Sequence, residues 1–319
     1  MTSPVAADSQ AAAEPPASLS DRIEDAIFRL ALVTCGAVSW RWGLRLGAVL
    51  GWLFYLVDVR DRRIALKNLA MAFPERSHAE HRRILRATCR NLGRMAFEIA
   101  HFPSLTRDNV SRYVQIDDPQ RWAEVVNRAR ERGTIILTGH FGDWELLAYA
   151  CGLLSQPVTL IHRPMRNRLV DRGIMELRAP AGTQAIPKKA AAKEALRRLK
   201  ARAMVAIPVD QNQVHSFGVF VDFFGVPACT TTGPARLAML TRAPIVPVFI
   251  VRDGESERHR IIILPDIEPA STGDRDGDIH TTTQRCSAVF EQMVRAHPDH
   301  WIWFHKRWKS RPPGEPRLY

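Results

Sequence analysis

The feature that most constrains the fold is a short β-branched run that stops on glycine and turns into a helix. In Thr134-Ile-Ile-Leu-Thr-Gly-His-Phe-Gly-Asp-Trp-Glu145, the residues from Thr134 to Thr138 suit a buried strand, Gly139 breaks the run, and Leu146 to Leu154 read as a helix. Strand, glycine turn and helix together make the unit of an open α/β sheet, where ligands collect at the carboxyl ends of strands. His140 stands at such an end. The alternation recurs, with strands expected at 113–116, 157–161, 204–209, 244–251 and 259–264. Helices are expected at 78–101, 167–177, 189–202 and 279–296, and a further one is capped by Asp118, opened by Pro119 and stopped by Gly133. The pattern is that of an α/β chain with a mostly parallel central sheet flanked by helices. No Pro/Gly linker is long enough to divide it.

The spacing from His140 to Glu145 carries chemistry. Within one helix, residues five apart point roughly 140° away from each other. The two side chains meet only if His140 lies in the turn and Glu145 in the first helical turn. A carboxylate on one imidazole nitrogen fixes the tautomer and frees the other nitrogen to take a proton from a hydroxyl. The other reading is that His140 caps the helix and Glu145 complements its dipole.

A net charge of +12 and a pI near 10.1 favour an acidic partner: anionic lipid, nucleic acid or an acidic carrier protein. RNA-binding aromatic motifs and zinc-finger spacings are absent, which argues against nucleic acid. Cys35, Cys89, Cys151, Cys229 and Cys286 are scattered, with neither a disulfide framework nor a CxxC metal site.

Residues 1–22 read as a disordered Ala/Ser/Pro lead-in without the basic start of a secretory signal. Residues 23–58 hold two apolar runs, Leu30 to Trp40 and Leu46 to Val57, separated by Arg41 and Arg45. Neither reaches the ~18–20 residues of a spanning helix. They read as an apolar helical hairpin in the membrane face, with Trp40, Trp42, Trp52 and Tyr55 at headgroup depth; packing on the core and one strongly tilted spanning helix are the alternatives. Arginines at 82, 83, 86, 90 and 94 then line one helix, a solvated face or one turned to anionic headgroups. Residues 59–313 form the α/β domain and 314–319 a tail.

Three polar constellations follow strands. Arg163 and Arg166 can clamp a phosphate with forked donors, or be plain surface charge. Asp210 and Gln211 stand straight after a β run, where Asp210 can hold an arginine, order a substrate or cap a turn. Thr232 and Gly233 open a helix whose free N–H groups suit an anion, and Arg236 in its first turn opposes the dipole and so points to a ligand. The tail from His300 to Arg311 interleaves tryptophans with bases, a pattern of membrane interfaces.

Taken in order, Asn68-Leu-x-x-x-Phe73-Pro74, Gly139-His140-Phe-Gly142-x-Trp144-Glu145, Arg163-Pro164-x-Arg166-Asn167, Asp210-Gln211, Phe224-Gly225 with Thr230-Thr-Thr-Gly233, Pro244-Ile-Val-Pro247 and Trp301-x-Trp303-x-His305-Lys-Arg-Trp-Lys resemble the lipid A biosynthesis late acyltransferases. The resemblance runs from about residue 25 to 313. It implies a glycerol-phosphate-acyltransferase-like fold on the cytoplasmic face of a bacterial inner membrane. It implies His140 as base and Glu145 as its orienting carboxylate, with no metal and no cofactor beyond an acyl-carrier-protein or coenzyme A thioester. Asp143 stands at the wrong spacing for that carboxylate. The implied acceptor is a hydroxyl of a glycolipid, most simply a lipid A precursor; relatives with the same motifs act on phosphatidylinositol mannosides. Two other classes stand against this reading. One is a metal-dependent hydrolase using His140, Asp143, Glu145 and His162, and the other a non-catalytic membrane-binding module.

Overall fold

The computed structural model describes residues 17–319 except 163 and 188–190. The expected disordered lead-in lies mostly outside the described residues, and its last residues are helical. Helix α1 (Leu19–Ala37) begins there because Ser18 and Asp21 form a reciprocal capping box. The chain breaks at Val38 and Ser39 and continues as α2 (Trp40–Val57), so Arg41 and Arg45 lie inside α2 rather than between two helices. No single described helix is long and apolar enough to cross a membrane. Together α2 and α3 (Val59–Ala72) meet that standard, but they are bent by 92°.

One face of α2 is covered by α4 (His78–His101). Their backbones meet directly: a Cβ at Gly47 would stand 2.5 Å from the Gly93 carbonyl oxygen, and one at Gly51 2.0 Å from that of Cys89. The other face exposes Trp42, Leu46, Val49, Leu50, Trp52 and Leu53. Of the aromatics expected at headgroup depth, Trp42 and Trp52 are exposed. Trp40 instead stacks on Tyr113 at 4.2 Å, and Tyr55 is buried in the core.

The domain contains strands β1 (Val114–Ile116), β2 (Thr134–Thr138), β3 (Val158–His162), β4 (Gln184–Pro187) and β5 (Met204–Pro208). A hairpin follows, β6 (Gly218–Phe223) and β7 (Val226–Thr231), and then β8 (Ile245–Arg252) and β9 (His259–Ile263). All but the hairpin form one sheet, ordered β1-β9-β8-β2-β5-β3-β4. Every pairing in it is parallel except β8 with β9. Helices α5 (Pro119–Arg132), α6 (Trp144–Leu154), α7 (Arg168–Arg178), α8 (Ala191–Lys200), α9 (Gly233–Thr241) and α10 (Arg275–Ala296) surround it. Every residue of β2 is buried, as an apolar run between two sheet neighbours should be.

Two strand features were not legible beforehand. β4 is a four-residue edge strand. The hairpin turns on Phe224 and Gly225, both at positive φ, 57° and 73°, as a tight two-residue hairpin turn demands. Phe224 accepts that conformation because its ring packs on Phe73 and Trp303 and its N–H meets Glu291. The aromatic tail is also a correction. Trp301, Trp303 and Trp308 are fully buried in the core and do not face an interface.

Candidate active site

β2 and β5 are parallel neighbours, with Thr138 opposite Pro208. His140 and Asp210 each follow two residues beyond that pair, so the strand register delivers one to the other. Nδ1 of His140 lies 3.1 and 3.2 Å from the two carboxylate oxygens of Asp210. Asp210 is wholly buried, whereas the His140 side chain keeps 29% of its surface open. With the carboxylate accepting, Nδ1 carries the proton and Nε2 is left to act as a base.

The C-terminal segment fixes this pair. The indole N–H of Trp301 donates to Asp210 Oδ2 at 3.2 Å, and His305 Nε2 bonds the Asp210 carbonyl at 2.9 Å. Arg307, itself buried, donates to the carbonyls of Gln211 and Cys229. The backbone at 300–302 runs against the turn that carries His140: Gly142 N–H donates to the His300 carbonyl at 2.8 Å and Ile302 N–H to that of His140 at 3.3 Å. Gly142 must be glycine, since its φ is +60° and a Cβ would lie 2.0 Å from the Ile250 carbonyl oxygen.

Burial would lower the His140 pKa, but the charge and hydrogen bond of Asp210, with Glu145 farther off, outweigh it and the net shift is upward. Burial would likewise raise the Asp210 pKa. The facing His140, then His305 and the Trp301 indole, overcome that and hold the carboxyl well below its ordinary range.

The structure corrects the orienting carboxylate. It is Asp210, and Glu145 turns to Arg178 at the end of α7, where the guanidinium forks its two oxygens at 2.8 and 2.5 Å. This pair was not legible because Asp210 arrives from a strand 70 residues away. Arg178, which no motif marked, also has a buried Nη1 without an acceptor among the described residues.

The other expected residues are placed as follows. The Gln211 amide lies 3.4 and 3.5 Å from the two ring nitrogens of His140. Arg163 lies outside the described residues. Arg166 does not reach the imidazole; it bonds Glu24 of α1 and is 84% exposed. α9 opens beside Ile207, near the carboxyl end of β5, but Gly233 N–H is taken by Thr231 Oγ1 and Arg236 folds back on Thr232 Oγ1. The Gly142 N–H is engaged as well, so neither it nor that of Gly233 is an open oxyanion donor.

The alternative metal set does not converge. His162 bonds Asp171, Glu145 is held by Arg178, and Asp143 caps α6. Among the described residues, acids and imidazole do cluster at Glu98, Asp143 and His259. There the Arg252 guanidinium is already forked on Glu98 and supplies the positive charge.

The sequence model of bacterial lipid A biosynthesis acyltransferases matches residues 25–310. The chain is 28% identical to the lipid A biosynthesis lauroyltransferase of Escherichia coli (strain K12), over 86% of this chain and 88% of that one. It is 27% identical to the palmitoleoyltransferase of the same organism, over 82% of each. A phosphatidylinositol mannoside acyltransferase of Mycolicibacterium smegmatis is more distant, at 22% over 70% of this chain and 72% of the other. The match spans both sides of the His140–Asp210 site and nearly all the described residues: the chain is an acyltransferase and belongs to the bacterial lipid A biosynthesis acyltransferase family.

Proposed function

We propose that the protein transfers a fatty acyl chain from an acyl-carrier-protein or coenzyme A thioester to a hydroxyl of a lipid A precursor. The observation that carries this is the partly open His140 held by a buried Asp210 inside the matched family span. Nε2 of His140 takes the acceptor proton as the oxygen attacks the thioester carbonyl. The imidazolium so formed lies against Asp210, which stabilises it. The thiolate then leaves, taking a proton back from the imidazolium.

The carbonyl oxygen becomes an anion and needs a donor in place beforehand. Arg178, fixed by Glu145 and with no acceptor for its Nη1 among the described residues, is our candidate donor to that oxygen or to an acceptor phosphate. Arg166 and Arg236 are exposed cations for acceptor phosphates, and Arg163, three residues before Arg166 in the sequence, is assigned the same role. The apolar outer face of α2 and the basic residues of α3 and α4 fit the cytoplasmic face of an inner membrane. The basic chain suits an acidic carrier protein. A phosphatidylinositol mannoside or another glycolipid is the second acceptor class, favoured only by the more distant relative.

The test is lipid mass spectrometry on cells lacking the gene, complemented with wild type or His140→Ala. The expected result is one acyl chain missing from a glycolipid, restored by wild type alone. Restoration by His140→Ala would refute the general-base reading.

A further inference from the structure

Asp143, three residues past His140, does more than cap α6. Its Oδ1 accepts from Leu146 N–H at 2.8 Å, while Oδ2 is buried with no hydrogen-bond donor among the described residues. Facing it is Glu98 of α4, 1% exposed, both of whose oxygens are taken by Arg252 of β8. One carboxyl oxygen of Asp143, one of Glu98 and a nitrogen of His259 lie within 4.8 Å of one another. The charged or titratable groups packed here are Glu98, Arg252, His259 of β9 and His300.

His300 accepts the Arg252 N–H through Nε2 and bonds Asp299 through Nδ1, which is the pattern of a neutral imidazole. His259, whose Nε2 stands 3.6 Å from a Glu98 oxygen, makes no hydrogen bond through either nitrogen among the described residues and, dominated by burial, is pushed down to about 4, so it too is neutral. One guanidinium then stands against two buried carboxyls. Two carboxylates this close cannot both be charged with one cation between them, and a single proton makes the cluster neutral. Burial and the nearby Glu98 charge both push the Asp143 carboxyl well up, in keeping with this.

We propose that Asp143 is a positioning residue that stands protonated and donates Oδ2–H to Glu98, clamping the catalytic turn onto α4. Since Gly93 of α4 meets Gly47 and Gly51 of α2, the clamp joins the apolar helix pair to the turn that carries His140. Its positioning role rests on His140 being the base; its proton does not. The other arrangement is an ionised Asp143 hydrated by a water in the adjoining cavity of about 20 Å³, which Asp143, His259 and His300 help to line.

The full-length protein separates the two. In wild type minus Asp143→Asn infrared difference spectra at neutral pH, a protonated-carboxyl carbonyl band is expected; its absence overturns the proposal. Denaturant unfolding gives a second reading. The folded state holds a proton the unfolded Asp143 releases, so above the ordinary carboxyl range wild type should lose stability relative to Asp143→Asn by about tenfold in the unfolding constant per pH unit, until the folded carboxyl itself ionises. A pH-independent difference overturns it. For positioning, Asp143→Ala should lower kcat at least tenfold with KM little changed, and Asp143→Asn, which keeps both cap and donor, should restore most of it. An asparagine variant as impaired as the alanine variant refutes the clamp. The infrared and unfolding readings remain decisive even if the acyl-transfer reading fails.

Discussion

Replacing Asp210 with asparagine should be worse than losing a charge, and the structure says why. The Trp301 indole can only donate, and it donates to Asp210 Oδ2. In Asp210→Asn the amide oxygen must take that place, which turns the amide NH2 toward His140 Nδ1. The imidazole is then forced to accept at Nδ1 and carry its proton on Nε2, the wrong tautomer for a base. Loss of a charged hydrogen bond alone is worth about 1.5–3 kcal/mol, or roughly 10- to 150-fold in rate. The tautomer penalty should carry the loss to about 10³–10⁴-fold, as in the Asp-to-Asn change of a serine protease triad. The assay is single-turnover acyl transfer from a radiolabelled thioester. Adding Trp301→Phe removes the donor and lets the introduced amide flip its oxygen toward the ring. The double variant should therefore recover about tenfold over Asp210→Asn, the low end of that charged-bond range. Asp210→Asn activity within tenfold of wild type, or a double variant no better than the single, would refute the reasoning.

Three other outcomes follow from the same geometry. The His140 pKa is raised above its ordinary 6.5, so neutral imidazole, the active form, accumulates late, and the acid limb of kcat/KM should have its midpoint above 6.5 and move down in Asp210→Asn. Glu145→Gln weakens the fork on Arg178 and should cost about 1–3 kcal/mol in denaturant unfolding, with a smaller loss of kcat than Asp210→Asn; the reverse order would restore Glu145 as the orienting group. Gly47→Leu cannot fit against the Gly93 carbonyl, so α2 should lift from α4 at a cost of about 1–3 kcal/mol or more, read as faster proteolysis within residues 19–57.

What could be read in advance was local. The β-branched run ending at Gly139 and the apolar helix after it are set by neighbours in sequence, and β2 and α6 lie where that pattern put them. The helix expected at 78–101 is α4 for the same reason. The sequence also marked His140, Asp210 and Gln211 as polar groups at strand ends, which suffices to point to a candidate site. Which carboxylate meets the imidazole was not local. Glu145 is close in sequence, but α6 carries it to Arg178, while the pairing of β2 with β5 brings Asp210 across. Nor could alternating tryptophans and bases say whether they face lipid or core: both environments reward the same apolar rings. Only tertiary packing decided it, seating Trp301 where its indole N–H meets the buried Asp210 carboxylate and Arg307 where backbone carbonyls take its donors. Periodicity fixes elements because it reports nearest neighbours. Strand register and the partners of buried polar groups are settled by contacts between residues far apart in the chain.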